Sequence, residues 1–368
     1  MIIYAAAGSP ATQNWPVWQN SVPAGVKGSV GRFPAGPRNG ADRVPGEDDY
    51  DPSCHAPRFG VGGFVHTPRY GVMLSRLPGA PVPGKLGAVG SFEDDVVVES
   101  CGGGRYHGQL DHSWDLVAVP QGGIVASLAL RAACLEVGDP GHLLRTCTTV
   151  FAGQVAAGPL EIHVSVLRRG RSATQVQAAI RNIGAEAGAS IVAVFGSSRR
   201  GPSFADAVPP EVPPPLACPS YREPPPPGIQ PFEPLPFWTR VEGRAALGHP
   251  PWEQHEPTGS DVATWLRFDS PPQLADGTID PLGVFTLADR MPGCVAERLG
   301  HQGPPWFAPS ADLTVHLLEP LRTEWLLAHD RARWADDGWA SAESMLWDEN
   351  GTLVAYATQM MLFTYLAD

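Results

Sequence analysis

The sequence predicts an α+β protein: two antiparallel sheets, each wrapped around a central helix, preceded by a disordered N-terminal extension. Three observations predict it. The stretch VPQGGIVASLALRAACLEV (119–137) reads as a helix that is apolar on nearly every side. Runs with apolar residues at every second position follow it. A similar helix-then-strands pattern then recurs beyond a proline-rich stretch. A helix apolar all round must be buried, and period-2 runs supply half-buried strands to bury it.

Residues 1–88 are rich in Pro, Gly, Ala and Arg and lack periodicity. Segments such as VGRFPAGPRNGADRVPGEDDYDPS bury too little apolar area to offset the entropy of ordering, so disorder is expected. The first repeat is expected over 89–196. FEDDVVVES reads as a strand, GRYHGQLDHSW as a strand or arm, and the helix over 122–137 stops at Gly138 and Pro140. HLLRTCTTVFAGQV reads as β. PLEIHVSVLRR sets Leu160, Ile162, Val164 and Val166 on one face, and ATQVQAAIRNI and ASIVAVFG continue the sheet.

Residues 197–236, with VPPEVPPPLACPSYREPPPPG, read as an extended linker. Over 237–368 the order repeats. FWTRVEGRAAL and DVATWLRFDS are strands, and DPLGVFTLADRMPGCVAERLG holds a mostly apolar helix beginning near Asp280-Pro281, where Pro suits the first turn. SADLTVHLLEPL, EWLLAHDRARWA, WASAESMLWD and TLVAYATQMMLF are four more strands. Asp348-Glu349-Asn350-Gly351 supplies the last hairpin turn. ASIVAVFG aligns with GTLVAYATQ, which marks an internal duplication.

With 368 residues, 43% of them hydrophobic, the chain can form two domains with a sizeable core. Its net charge of −12 disfavours nucleic acid as a partner. Cys54, Cys101, Cys134, Cys147, Cys218 and Cys294 form no CxxC pair, which fits a reducing compartment. MIIYAAAGSPATQNW lacks a basic n-region and no apolar run reaches the length of a membrane span, so a cytoplasmic protein is expected.

A helix followed by a sheet that encloses it is the hotdog architecture, here expected twice. PQGG opening the first helix, LADRMP on the second, SADLTVHLLEPL on the next strand and GTLVAYATQ on the last resemble the acyl-CoA thioesterase II-like family of double-hotdog proteins, over residues 90–368. The resemblance implies hydrolysis of an acyl-CoA thioester to free acid and coenzyme A, without a metal, cofactor or covalent intermediate. It implies that an Asp, a hydroxyl residue and a Gln hold the attacking water. By motif these fall on Asp289, Ser310 (where the family has Thr) and Gln359, with Thr314 in reserve if the register slips.

The chemistry suits such a set. A carboxylate accepts a proton or orients the water, and an amide both donates and accepts. Gly122 and Gly123 are the expected substrate-binding residues, because N–H groups at a helix start lack intrahelical partners and glycine lets a ligand approach closely. Each of these residues also has a plainer reading: Asp289 can cap a turn or pair with Arg290, Gln359 can face solvent, Ser310 can simply open a strand, and the glycines can serve the turn alone. Asp312 is a weaker candidate acid. Arg168, Arg169 and Arg171 at a hairpin turn suit coenzyme A phosphates but equally a solvated turn. His107 and His112 near Trp114 have no metal-ligand spacing. No GxSxG elbow, P-loop or strand-placed GxGxxG is present. The alternatives are a non-catalytic acyl-CoA or lipid binder, since the first-half counterpart of Gln359 falls near Ser197, and an adaptor that presents the polyproline stretch. A homo-oligomer is compatible with either.

Overall fold

A computed structural model describes residues 3–4, 91–116, 119–224, 227, 235–301 and 303–366. The expected disorder of 1–88 falls outside them except at Ile3–Tyr4, which forms a small three-stranded ribbon with Trp306–Phe307 and Thr364–Tyr365.

The first half begins with a helical turn, Phe92–Asp95, where a strand was expected. Ser91 accepts from the Asp94 N–H and the Asp94 carboxylate accepts from the Ser91 N–H, a reciprocal cap that outcompetes the strand. Then come β1 (Val98–Gly102), β2 (Arg105–Leu110), α1 (Gly122–Val137), β3 (Leu143–Phe151), β4 (Gly158–Arg169), β5 (Ala173–Asn182) and β6 (Ala189–Gly196). The second half supplies β7 (Val241–Leu247), β8 (Asp261–Phe268), α2 (Pro281–Leu287), α3 (Pro292–Leu299), β9 (Asp312–Leu317), β10 (Leu326–Asp336), β11 (Trp339–Asp348) and β12 (Leu353–Leu362).

The strands lie in the order β1-β2-β4-β5-β6-β3 in the first half and β7-β8-β10-β11-β12-β9 in the second. Each strand of one half thus has a counterpart six strands later, which is the duplication read in the sequence. The expectation of two separate sheets is corrected. β3 and β9 pair antiparallel, with Thr314 opposite Thr148 and Val315 opposite Cys147, and the halves merge into one twelve-stranded sheet. A sandwich of two free sheets would leave both strands as unpaired edges; pairing them satisfies both ladders.

α1 is continuous, with every residue from Gly123 to Leu130 buried. Gly138 closes it in the left-handed conformation (φ 61°), donating to Cys134 O. It packs on the strands of its own half and on α2. The single helix expected in the second half is instead two. Pro292 has no N–H to bond back to Ala288, so α2 ends and α3 restarts with Pro292 in its first turn. The helices of the two halves are tied together: Ser127 Oγ meets Thr286 Oγ1 (2.9 Å), and Arg131 donates to Asp280 (2.5 Å). One apolar core therefore runs through both halves.

The proline-rich stretch is not a free spacer. Pro215 and Cys218 are buried, Trp265 Nε1 donates to Pro213 O (2.9 Å), and Ala245 N donates to Pro219 O (3.0 Å). Cys218, Trp265, Trp325, Leu327 and Trp347 form a second apolar cluster there. Around these contacts Pro213, Pro214 and Pro219 keep exposed side chains.

Because Leu128 is fully buried where α1 meets the sheet, Leu128→Ala should lower unfolding free energy by about 2–5 kcal/mol, the cost of lost transfer energy plus the cavity. Urea unfolding followed by far-UV circular dichroism measures it; a change under about 1 kcal/mol would mean that the helix is not the packed centre.

Candidate active site

The break between α2 and α3 sets Asp289 at the first turn of α1. Its backbone is fixed by Gln121, whose Nε2 donates to both Thr286 O and Asp289 O (2.9 Å each). Its side chain is buried, and Oδ2 accepts the Gly123 N–H at 2.9 Å. A carboxylate at a helix N-terminus is favoured by the unpaired N–H groups and by the helix dipole.

The other carboxylate oxygen meets the second half of the sheet. Gln359 lies on β12 on the face it shares with the buried Ala357 and Met361. Its Nε2 donates to Asp289 Oδ1 and to Ser310 Oγ, both at 2.6 Å. Ser310 sits just before β9, bridged to Met361, and its hydroxyl donates to Asp289 Oδ1 at 3.5 Å. The three side chains singled out from the sequence therefore converge on one point. Gln359 Oε1 is buried and forms no hydrogen bond among the described residues, so it is an acceptor left for a group in the site. A carboxylate, a hydroxyl and an unpaired amide oxygen together can hold and deprotonate a water.

The glycines differ from the expectation in one respect. Gly123 spends its N–H on Asp289 rather than on a ligand. A Cβ on it would lie 2.8 Å from Thr286 O, and a Cβ on Gly122 would lie 2.7 Å from the Phe151 ring and 2.9 Å from Asp289 Oδ2. Close approach of two elements, not of a ligand, is the first reason for both. The Gly122 N–H makes no hydrogen bond among the described residues.

The other candidates go elsewhere. Thr314 lies between the buried Leu313 and Val315 with its side chain on the opposite face, bonded to Thr148 Oγ1 (2.9 Å) across the seam. Asp312 accepts the Met360 N–H (2.7 Å). Arg169 caps the C-terminus of α1, donating to Glu136 O and Val137 O, while Arg168 stays exposed and the Arg171 carbonyl lies 3.2 Å from His142 Nε2. His112 pairs with Asp115 (2.7 Å), and His107 lies on β2. Arg290 does not pair with Asp289; its guanidinium faces Asp330 (3.9 Å), whose carboxyl burial pushes up against the lowering pull of Arg290.

Gln121 was missed by sequence reasoning. The signal was present, a Gln directly before the Gly-Gly that opens α1, but its partners are two backbone carbonyls that no spacing rule reveals.

Two family models match the chain: an acyl-CoA thioesterase N-terminal domain over residues 110–196 and an acyl-CoA thioesterase C-terminal domain over residues 215–363. Among solved structures, a conserved protein of unknown function with a hot dog fold from Alicyclobacillus acidocaldarius is similar at 25% identity and a TM-score of 0.63, covering 75% of this chain and 98% of its own. A protein from Thermobifida fusca assigned as a thioesterase II has 24% identity and a TM-score of 0.59, covering 74% and 97%. The acyl-CoA thioesterase II TesB2 from Mycobacterium marinum has 21% identity and a TM-score of 0.57, covering 75% and 99%. The last two speak to the fold. No curated protein matches the chain. No helix among the described residues is long and apolar enough to cross a membrane.

Gly122→Ala forces its methyl against Phe151 and the Asp289 carboxylate. It should lower stability by about 1–3 kcal/mol, as overpacking does, measured as a shift in denaturation midpoint; an unshifted midpoint would show that this contact is not tight.

Proposed function

We propose, since the chain belongs to the acyl-CoA thioesterase family and is a thioester hydrolase, that Asp289, Ser310 and Gln359 hold the water that hydrolyses an acyl-CoA thioester. The observation that carries this is the shared contact of Gln359 Nε2 with Asp289 Oδ1 and Ser310 Oγ at 2.6 Å, beside the unpaired Gln359 Oε1.

In this reading a water donates one O–H to Asp289 Oδ1 and the other to Gln359 Oε1, and Ser310 limits its position. Its lone pair is then free for the thioester carbonyl carbon. Asp289 takes the proton as the C–O bond forms. The negative charge that develops on the carbonyl oxygen is met by the Gly122 N–H at the start of α1, where the dipole favours it. The tetrahedral intermediate collapses by breaking the C–S bond, and the proton held by Asp289 passes to the departing sulfur, giving free acid and the coenzyme A thiol. The Gly123 N–H keeps the carboxylate turned toward the water throughout.

At three of the described cysteines a covalent acyl-enzyme on sulfur is disfavoured by burial. It pushes the thiols of Cys134 to about 11 and Cys147 to about 12, and Cys294 well above its ordinary value, so each is a protonated thiol at neutral pH. Among the described residues Ser310 has no histidine as a hydrogen-bond partner to activate it as a nucleophile.

An acyl-CoA panel of varied chain length, read by release of free thiol, tests the assignment. Asp289→Ala should lower kcat by roughly 10²–10⁴-fold, the usual contribution of a positioned base. Gln359→Ala should fall in the same direction, and Ser310→Thr should keep turnover because it keeps the hydroxyl. Wild-type turnover in Asp289→Ala would sink the site assignment, and tight acyl-CoA binding without thiol release by the wild type would make the chain a binder instead.

A further inference from the structure

The hairpins that open the two halves differ. Between β1 and β2 only Gly103 and Gly104 intervene. Between β7 and β8 the chain makes the long excursion 248–260, which carries His249 and His255. A tight turn is all that strand pairing requires, so the extra length needs its own account.

That loop converges on Glu297, which projects from α3 and is buried. His249 Nδ1 lies 2.6 Å from Glu297 Oε1, and His255 Nε2 lies 3.7 Å from Glu297 Oε2. The ligand-capable atoms of the three residues all fall within 4.8 Å of one another. The side chain of His255 is only 8% exposed, although histidine has two polar ring atoms to satisfy. One of them is satisfied: His255 Nδ1 lies 2.8 Å from Glu256 O, so it carries the hydrogen and donates. In the neutral ring the lone pair then sits on Nε2, facing Glu297. A backbone carbonyl that fixes one ring nitrogen so that the other can coordinate is the usual support of a metal-bound histidine. The His249 and His255 rings lie parallel, with centroids 4.0 Å apart, and His301 packs edge-on against His255 at 4.9 Å. His301 Nδ1 accepts the His255 N–H (3.4 Å), so it holds the loop and is not counted as a ligand.

We propose that His249, His255 and Glu297 form a binding site for a divalent transition cation of the zinc class, separate from the thioester site. Two imidazoles and a carboxylate are a donor set suited to such an ion. Zinc held at about 2.0–2.2 Å places neighbouring ligand atoms roughly 3.4 Å apart. The His255–Glu297 spacing needs to close by a few tenths of an ångström, and the His249–Glu297 spacing to open by somewhat more. The hydrogen shared between His249 Nδ1 and Glu297 leaves on binding, because a ring nitrogen that ligates a metal carries no hydrogen. The bound ion fastens loop 248–260 to α3, and a fourth position stays open to water. The proposal does not depend on the hydrolytic reading.

The test uses the full chain, stripped with a chelator and dialysed, then titrated with Zn²⁺ against a chromophoric competitor. One equivalent should bind, and binding should weaken at least about tenfold, the lower range for lost supports of a metal site, in His255→Gln and in Glu297→Gln. Cys101→Ser and His112→Gln, which lie elsewhere, should keep it. Zn²⁺ should raise the thermal midpoint of the wild type and leave that of His255→Gln unmoved. If Glu297→Gln fails to fold, Co²⁺ added to the wild type still decides: a four-coordinate visible absorption band lost in His255→Gln supports the site. Absence of stoichiometric binding by the wild type, or equal affinity in His255→Gln, overturns it and leaves the cluster a hydrogen-bonded clasp.

Discussion

The Asp289 carboxylate, buried and held between the N-terminus of one half's helix and the last strand of the other, is the contact on which the arrangement depends. A buried carboxylate without donors is costly. Here Gly123 N–H answers one oxygen and Gln359 Nε2 the other. Both donors are close only because Gly122 and Gly123 lack side chains and because the second helix breaks at Pro292. Without that break the Asp289 backbone would continue α2, and its side chain would follow the helix surface rather than reach the start of α1.

The contact also explains why two halves are needed. The first half contributes a helix start with its unpaired N–H groups, and the second contributes the acid, the hydroxyl and the amide. The strand order is the same in both, yet the chemistry is unequal: Asp289, Ser310 and Gln359 all come from the second half, and α1 runs unbroken where its counterpart is interrupted. Duplication supplies the frame, and divergence places one complete set of polar groups at the join. The β3–β9 pairing then fixes the register between halves, because a slip of one residue would turn Leu313 and Val315 off the core.

Much of this was legible in the sequence. Strand ranges from β3 to β6 and from β9 to β12 followed from period-2 alternation, and α1 from its unrelieved apolarity and its Gly138 stop. The convergence of Asp289, Ser310 and Gln359 followed from motif resemblance, not from spacing. What was illegible depends on contacts between distant segments. Ser91 and Asp94 cap a turn that reads locally as strand. Pro292 splits a helix whose apolar pattern runs on through it. The pairing of β3 with β9 leaves no mark in either strand, since edge and interior strands of similar composition read alike. The burial of Cys218 in the proline-rich segment was illegible because the residues it packs with, Trp265 and Trp347 among them, lie far along the chain.

The central claim is that Asp289 and Gln359 act as one unit on one water. A double-mutant cycle on kcat/KM with Asp289→Asn, Gln359→Ala and the pair measures it directly. The account predicts strong non-additivity, with the double variant scarcely slower than the slower single variant. Losses that simply multiply would show that the two groups contribute independently and would contradict it.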